Sequence, residues 1–349
     1  MTKGNKIFLI ILSAGIFIAL TEVAYLYTKR DKLFNSAMPP VTPAVATTTS
    51  ALYVRQVDGT LTDKPEDVTS TLVAVMIDNH PNARPQSGLS QARVVYEAPV
   101  EGGITRFFAL FAASDEVAKV GPVRSARPYF LDWLSEYGNT PFWHAGGSQE
   151  ALDLIKKFSI WDVNEFYFGN YFWRAEGRDA PHNLYTASDK WQKLVVGTPK
   201  EYKEWEGWKF DPAVPSIFTT LDVEEIQIRL EPNYLIAWKY DKENGHYDRF
   251  QNGNPVQDES GSGMYANTVI IEEVEVEVVD NEGRKVVGTI GSGDARVLRD
   301  GKSIRGSWRK DSREGRTRFY DLGGREIPLK PGKIWIEVVP QNTPMEVSS

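Results

Sequence analysis

Thr-Pro-Phe-Trp-His-Ala-Gly-Gly-Ser (140–148) reads as a short apolar strand, a glycine turn and a helix cap in nine residues. A strand that passes straight into a helix through such a turn is the local unit of an α/β layer fold. Flanking segments repeat the pattern. Leu72-Val-Ala-Val-Met-Ile77 is a buried strand candidate ending in Asp78-Asn79-His80-Pro81, and Val94–Glu97 is a second. Ile104–Ala112 is a third, apolar on both faces and so suited to a central position. Ser125 is placed to cap a helix reaching about Tyr137, with Pro128 in its first turn and Ala126, Tyr129, Phe130, Trp133, Leu134 and Tyr137 along one stripe. Ser148 caps the next helix, through Phe158, and a last short helix after Ser188 carries Trp191 and Leu194.

From Asp222 onward the helical period fades. Ile226–Leu230, Tyr234–Tyr240, Tyr247–Phe250, Val269–Val279 and Ile334–Val339 read as strands. Asn252-Gly253, Asp300-Gly301, Gly323-Gly324 and Pro331-Gly332 mark turns. The fold expected is an α/β N-terminal domain over 71–215 followed by a β-rich, barrel or sandwich-like C-terminal domain over 216–342, with a tail at 343–349. Glu273, Glu275 and Glu277 recur at steps of two and should share a solvated face.

Ahead of the folded part, Lys3 and Lys6 precede an apolar run from Ile7 to Leu20 that Thr21 and Glu22 interrupt and Val23–Tyr27 resumes. As a helix it spans about 31 Å at ~1.5 Å per residue, enough to cross a bilayer. The expectation is a cytoplasmic tip at 1–6, an N-terminal transmembrane helix at 7–27 and a Pro/Thr/Ser-rich linker at 28–70 holding an extracytoplasmic body off the membrane. Ala44-Val45-Ala46 has the form of a cleavage site but lies far beyond the apolar run.

Composition narrows the chemistry. The 349 residues carry a net charge of −7, so no nucleic-acid partner is expected. There is no cysteine, which removes disulfides, thiolate nucleophiles, thiolate metal sites and a lipid-modified cysteine. His80, His144 and His182 lack compact metal-binding spacing, so neither metal nor cofactor is expected. No phosphate-binding glycine loop is present.

Polar groups gather around the glycine turns. Arg127 and Arg124 lie at a helix start, where cations oppose the helix dipole. Either Glu97 or Glu101 offsets them in a bidentate pair, or a bound anion does; Arg106 completes the cluster in both cases. His144 ends a strand, at the sheet edge where α/β proteins bind ligands. It is either a satisfied core histidine or a general acid–base, the latter requiring Asp78, Glu97 or Glu101 within reach. Ser148 reads as a cap rather than a nucleophile. Residues 161–185 interleave Trp161, Phe166, Tyr167, Phe168, Tyr171, Phe172, Trp173 and Tyr185 with Arg174, Arg178, His182 and Asn183. That loop is either a satellite cluster packed on the sheet or the wall of a groove.

Several of these stretches together resemble one family. They are Asp78-Asn79 with Ala83-Arg84-Pro85-Gln86, Glu101-Gly-Gly-Ile-Thr-Arg106, Gly121-Pro-Val-Arg-Ser-Ala-Arg127, His144 with Gly146-Gly147-Ser148, and Ala180-Pro-His-Asn-Leu-Tyr185. Weaker matches follow in Trp238-x-Tyr240, Gly291-x-Gly293 and Pro331-Gly-Lys-x-Trp335. They are similar to the YerB-like family of bacterial envelope lipoproteins. The resemblance implies two domains, an extracytoplasmic position and membrane attachment, and no activity. Without a cysteine, the Ile7–Tyr27 helix would replace the lipid.

The candidate catalytic residues are therefore His144, Asp78 and Glu101. The candidate ligand-binding residues are Arg84, Arg106, Arg124, Arg127, Arg174, Arg178, His182 and Asn183. Three functions are open: binding of an anionic or glycan envelope polymer, hydrolysis or transfer on such a polymer by His144 with a carboxylate, and a scaffold whose β domain docks another envelope protein.

Overall fold

A computed structural model describes residues 19–26, 28–29, 52–198 and 203–349. The chain separates into two units, residues 1–50 and 51–349. In the first, residues 19–26 and 28–29 are helical. The expected tip at 1–6 and most of the 7–27 anchor lie outside the described residues. Among the described residues no helix is long and apolar enough to cross a membrane. Part of the 28–70 span expected to be linker is structured. Tyr53–Val54 pairs with Leu61–Thr62, and Val57 and Asp58 are buried, with Asp58 2.7 Å from the Arg93 guanidinium.

The second unit is built on one eleven-stranded sheet. Its first strands are β1 (Leu72–Asp78), β2 (Val94–Pro99) and β3 (Thr105–Ala112), every residue of which is buried. This is why they read as unbroken apolar runs and not as alternations. Helix α1 (Pro128–Leu134) begins with proline at its first position, where no N–H is needed, and continues as a 3-10 turn through Tyr137. The cap position is Arg127, not Ser125, whose hydroxyl donates to the Ala145 carbonyl instead. Strand β4 (Phe142–His144) leads into α2 (Gln149–Lys157), and Ser148 Oγ accepts from the Ala151 amide at 3.3 Å as a cap should. Strand β5 (Asp162–Asn164) and helix α3 (Ser188–Gly197) complete this half.

The C-terminal half contributes β6 (Glu225–Glu231), β7 (Tyr234–Asp241), β8 (His246–Gln251), β9 (Thr268–Val274), β10 (Gly291–Arg299), β11 (Lys302–Lys310), β12 (Ile334–Pro340) and β13 (Met345–Ser348). Strands β6, β7, β8 and β13 form a second, antiparallel sheet. Asn252-Gly253 and Asp300-Gly301 are left-handed at both positions, as two-residue hairpin turns require. The single long strand expected over 269–279 is two: Glu275 separates β9 from Val276–Val278.

The halves are joined edge to edge. The order in the large sheet runs Leu221–Asp222, β11, β10, β9, β12, β2, β3, β1, β4, β5, and the eleventh strand, Arg318–Asp321, pairs with β11 off this path. Strand β12 is parallel to β9 on one side and to β2 on the other, with Ile334 opposite Val94 and Glu337 opposite Glu97. One face of this sheet packs against α1 and α2 through Met76, Phe108, Phe130 and Trp133. The other packs against α3 and the second sheet through Phe107, Trp143, Trp335, Trp191, Trp238 and Tyr247. Each such side chain contributes roughly 1.5–3 kcal/mol on burial.

A fully buried polar network crosses the join. Glu97 Oε2 accepts from Arg249 Nη2 at 2.7 Å, and Glu97 Oε1 accepts from Thr105 Oγ1 at 2.6 Å and from the Tyr234 hydroxyl. Glu337 lies beside it and accepts from Trp238 Nε1 at 2.9 Å. Burial, then the neighbouring Glu97, pushes the Glu337 carboxyl well above its ordinary range, which favours its neutral form.

Candidate functional site

Strands β1, β4 and β5 run parallel, and their C-terminal ends carry Asp78, His144 and Asn164. In open α/β sheets this edge is where ligands lodge. The segment 121–126 is strapped across it. Asp78 N–H donates to the Pro122 carbonyl (2.8 Å), Arg124 N–H to Met76 (2.9 Å) and Ala145 N–H to Arg124 (3.0 Å). These bonds fix Arg124 between the ends of β1 and β4. A short hairpin, Trp173–Arg174 paired with Leu184–Tyr185, brings His182 over the same edge. It is held there by the Val123 N–H to Leu184 carbonyl bond at 2.6 Å.

Asp78 is 1% exposed and is the hub. Its Oδ1 accepts from the His80 amide at 3.0 Å. Its Oδ2 lies 2.7 Å from His182 Nδ1 and 3.2 Å from Arg124 Nε. A carboxylate accepts, so Nδ1 is the His182 nitrogen that donates to Asp78, and Nε2 is left on the far side of the ring. Among the described residues no group bonds that nitrogen. The His182 ring stacks on His80 at 4.4 Å and 13°. Burial is the main cause that pushes the His80 imidazole below its ordinary value.

Arg106 sits behind Arg124. It is buried, donates from Nη1 to the Ser125 carbonyl at 2.6 Å, and keeps its Nε without a hydrogen-bond partner among the described residues. Burial and then the nearby Arg127 charge pull it down to about 10. Arg127 forks onto Glu101, with Nη2 2.8 Å from Oε2, which is the carboxylate pairing the sequence offered as one alternative. Burial raises the Glu101 carboxyl, and the Arg127 fork more than offsets it, leaving it below its ordinary value. Three guanidiniums thus meet two carboxylates, Asp78 and Glu101, and one positive charge is left over.

In front of Arg124 opens a groove of about 380 Å³. Arg124 and the Gly146-Gly147 turn line it, with Arg174, Phe166 and Tyr167 opposite. The two rings are 74% and 79% exposed, so part of the aromatic loop projects to solvent and part, Phe172 and Tyr185, packs on the sheet. Arg174 is held by Asn183 Oδ1 (2.9 Å) and Glu165 (2.7 Å) and keeps 44% of its side chain exposed.

The expected pairing of His144 with Asp78 or Glu101 is not formed. The His144 ring is fully buried, with Nδ1 2.7 Å from the Gly146 carbonyl and Nε2 2.7 Å from Asp162. Both nitrogens face acceptors, so neither is available to a substrate. Glu101 serves Arg127. Arg84 and Arg178 are braces. Arg84 donates to the side chain and carbonyl of Asn79 (2.9 and 2.7 Å), and Arg178 donates to the Ala83 and Pro85 carbonyls (2.9 and 2.6 Å). The candidates thus divide. Asp78, Arg124 and His182 come together, with Arg106 behind and Arg174, fixed by Asn183, across the groove. Asp162 and Asn164 were not foreseen. Asn164 Oδ1 accepts from the Gly146 and Phe166 amides (3.0 and 3.3 Å) and so shapes the groove, and its position just before Glu165 is a helix-cap signal.

The sequence matches two family models. Residues 59–201 match "Protein of unknown function (DUF3048) N-terminal domain" and residues 226–336 match the corresponding C-terminal domain. The chain is 35% identical over 280 residues to a Bacillus subtilis (strain 168) protein described as "Putative lipoprotein YerB". The match covers 77% of this chain and 81% of that one. A crystal structure of YerB protein from Bacillus subtilis is similar with a TM-score of 0.73 and 30% identity, over 85% of this chain and all of that one.

Proposed function

We propose, from the premise that this chain belongs to the two-domain YerB-like (DUF3048) family, that it is an extracytoplasmic protein held at the membrane that binds an anionic stretch of an envelope glycan polymer. The lipoprotein description of the Bacillus relative supports the location. Attachment here does not use a thioether-linked lipid, because the chain has no cysteine, and the apolar run Ile7–Tyr27 takes that role.

One observation carries the binding reading. A groove at the strand ends sets two guanidiniums, Arg124 and Arg174, each paired with a single carboxylate, beside two exposed aromatic rings. Guanidinium forks suit carboxylate or phosphate groups, and flat rings suit the apolar faces of sugars. Co-sedimentation of the full-length protein with isolated cell wall tests it. Arg124→Ala with Arg174→Ala, and separately Phe166→Ala with Tyr167→Ala, should each weaken binding by roughly tenfold or more, as loss of a charge-assisted contact or a buried ring requires. Unchanged binding by either folded pair refutes the assignment of the groove.

A further inference from the structure

The groove reading makes no use of the Asp78–His182 pair, which has the geometry of an acid–base device. We propose that His182 is a catalytic general base and acid that hydrolyses a carboxylic ester carried by the bound polymer, with Asp78 as its positioning residue. The choice of polymer rests on the binding reading above; the chemistry does not.

Asp78 fixes the tautomer and the aim of the ring through a 2.7 Å bond to Nδ1, leaving Nε2 as the basic atom. The His182 side chain retains 12% of its exposure, so the ring is not sealed from solvent. The groups facing the imidazole are Asp78 below it, His80 stacked against it and Arg124 on the shared Asp78 oxygen. Among the described residues neither Ser125 nor Ser148 has a hydroxyl free to be the nucleophile. Ser125 donates to the Ala145 carbonyl at 2.8 Å, and Ser148 caps α2. The nucleophile is therefore water.

The step closes with one imidazole. His182 Nε2 takes a proton from water as the water oxygen bonds to the ester carbonyl carbon, and the C=O electron pair moves onto oxygen. The Arg124 guanidinium, which meets His182 on the same Asp78 oxygen, is the cation that stabilises that oxyanion. The pair then returns to re-form C=O, the bond to the alkoxy oxygen breaks, and the His182 imidazolium gives that oxygen its proton. Ester and water become carboxylic acid and alcohol, with no oxidant, metal or second acid required.

The test uses full-length protein and two probes, 4-nitrophenyl acetate for the chemistry alone and an O-acetylated cell-wall glycan for chemistry with binding. Wild type should hydrolyse both above buffer. His182→Gln should lower kcat/KM roughly 100-fold or more, within the range of lost acid–base catalysis. Asp78→Asn should lower kcat at least about tenfold with KM held, the mark of a misaligned tautomer and not of lost binding. Because either variant can disturb folding, wild type is also treated with diethyl pyrocarbonate. His182 should be the modified residue whose labelling abolishes hydrolysis, hydroxylamine should restore it, and buried His144 should stay unlabelled. Hydrolysis of the small ester without glycan binding sinks the groove reading and leaves this one standing. Glycan binding without hydrolysis of either ester, or activity that survives His182 labelling, overturns this one.

Discussion

Glu272 lies on β9, fully buried, and neither carboxylate oxygen has a hydrogen-bond partner among the described residues. Burial, then the charge of Glu136, pushes it up to about 8, with Lys310 pulling only weakly the other way. The folded protein therefore holds this proton more tightly than the unfolded chain does. Stability from this group is fully present below about pH 4.5 and is lost as pH rises toward 8. Each pH unit in that window removes about 1.4 kcal/mol, so the loss approaches roughly 3–5 kcal/mol at pH 8. That is a large share of the ~5–15 kcal/mol typical of a folded domain. Glu272→Gln keeps the shape and removes the titration. Urea denaturation of wild type and variant at pH 5, 6.5 and 8 gives the difference directly, because other titrating groups cancel. The variant should gain on wild type steadily across the series, by ~3 kcal/mol or more in total. A stability difference that stays flat from pH 5 to 8 refutes the buried, unpartnered placement of this carboxyl.

Two further perturbations read the join and the packing. Arg249→Ala strips the cation from the buried Glu97–Glu337 pair and should destabilise by about 3–5 kcal/mol in urea, as breaking a buried ion pair does. Gly306→Ala would put a Cβ 1.7 Å from the Tyr320 carbonyl oxygen, which is backbone and cannot step aside. The expected loss is ~3 kcal/mol or more, with faster hydrogen exchange across 318–321 where that strand peels from β11.

What the sequence made legible was local. Buried strands such as Leu72–Asp78, the Ser148 cap and the hairpin turns at Asn252-Gly253 and Asp300-Gly301 each follow from neighbouring residues. The Arg127–Glu101 fork was also within reach, because both lie beside predicted element ends. His144 stayed open between a satisfied core histidine and an acid–base because the end of a strand says where a residue stands but not what meets its ring. Its partner Asp162 comes from the adjacent parallel strand. His182 reached Asp78 through a two-by-two hairpin too short to show a period. Strands β10 and β11 were hidden by their own composition, rich in Gly, Ser, Arg and Lys. Strand β12 was seen, but its parallel contact with β2 leaves no mark on either segment.

That contact has a consequence for inheritance. Strand β12, made about 240 residues after β2, becomes its inner neighbour, so the α/β half keeps a bare strand edge until 334–340 have been made. Neither half is a portable cassette. A shuffling event that replaced one of them would strand a row of backbone donors and acceptors, and would leave Glu97 in apolar surroundings without its arginine. The two segments are therefore bound to travel through genomes as a single piece.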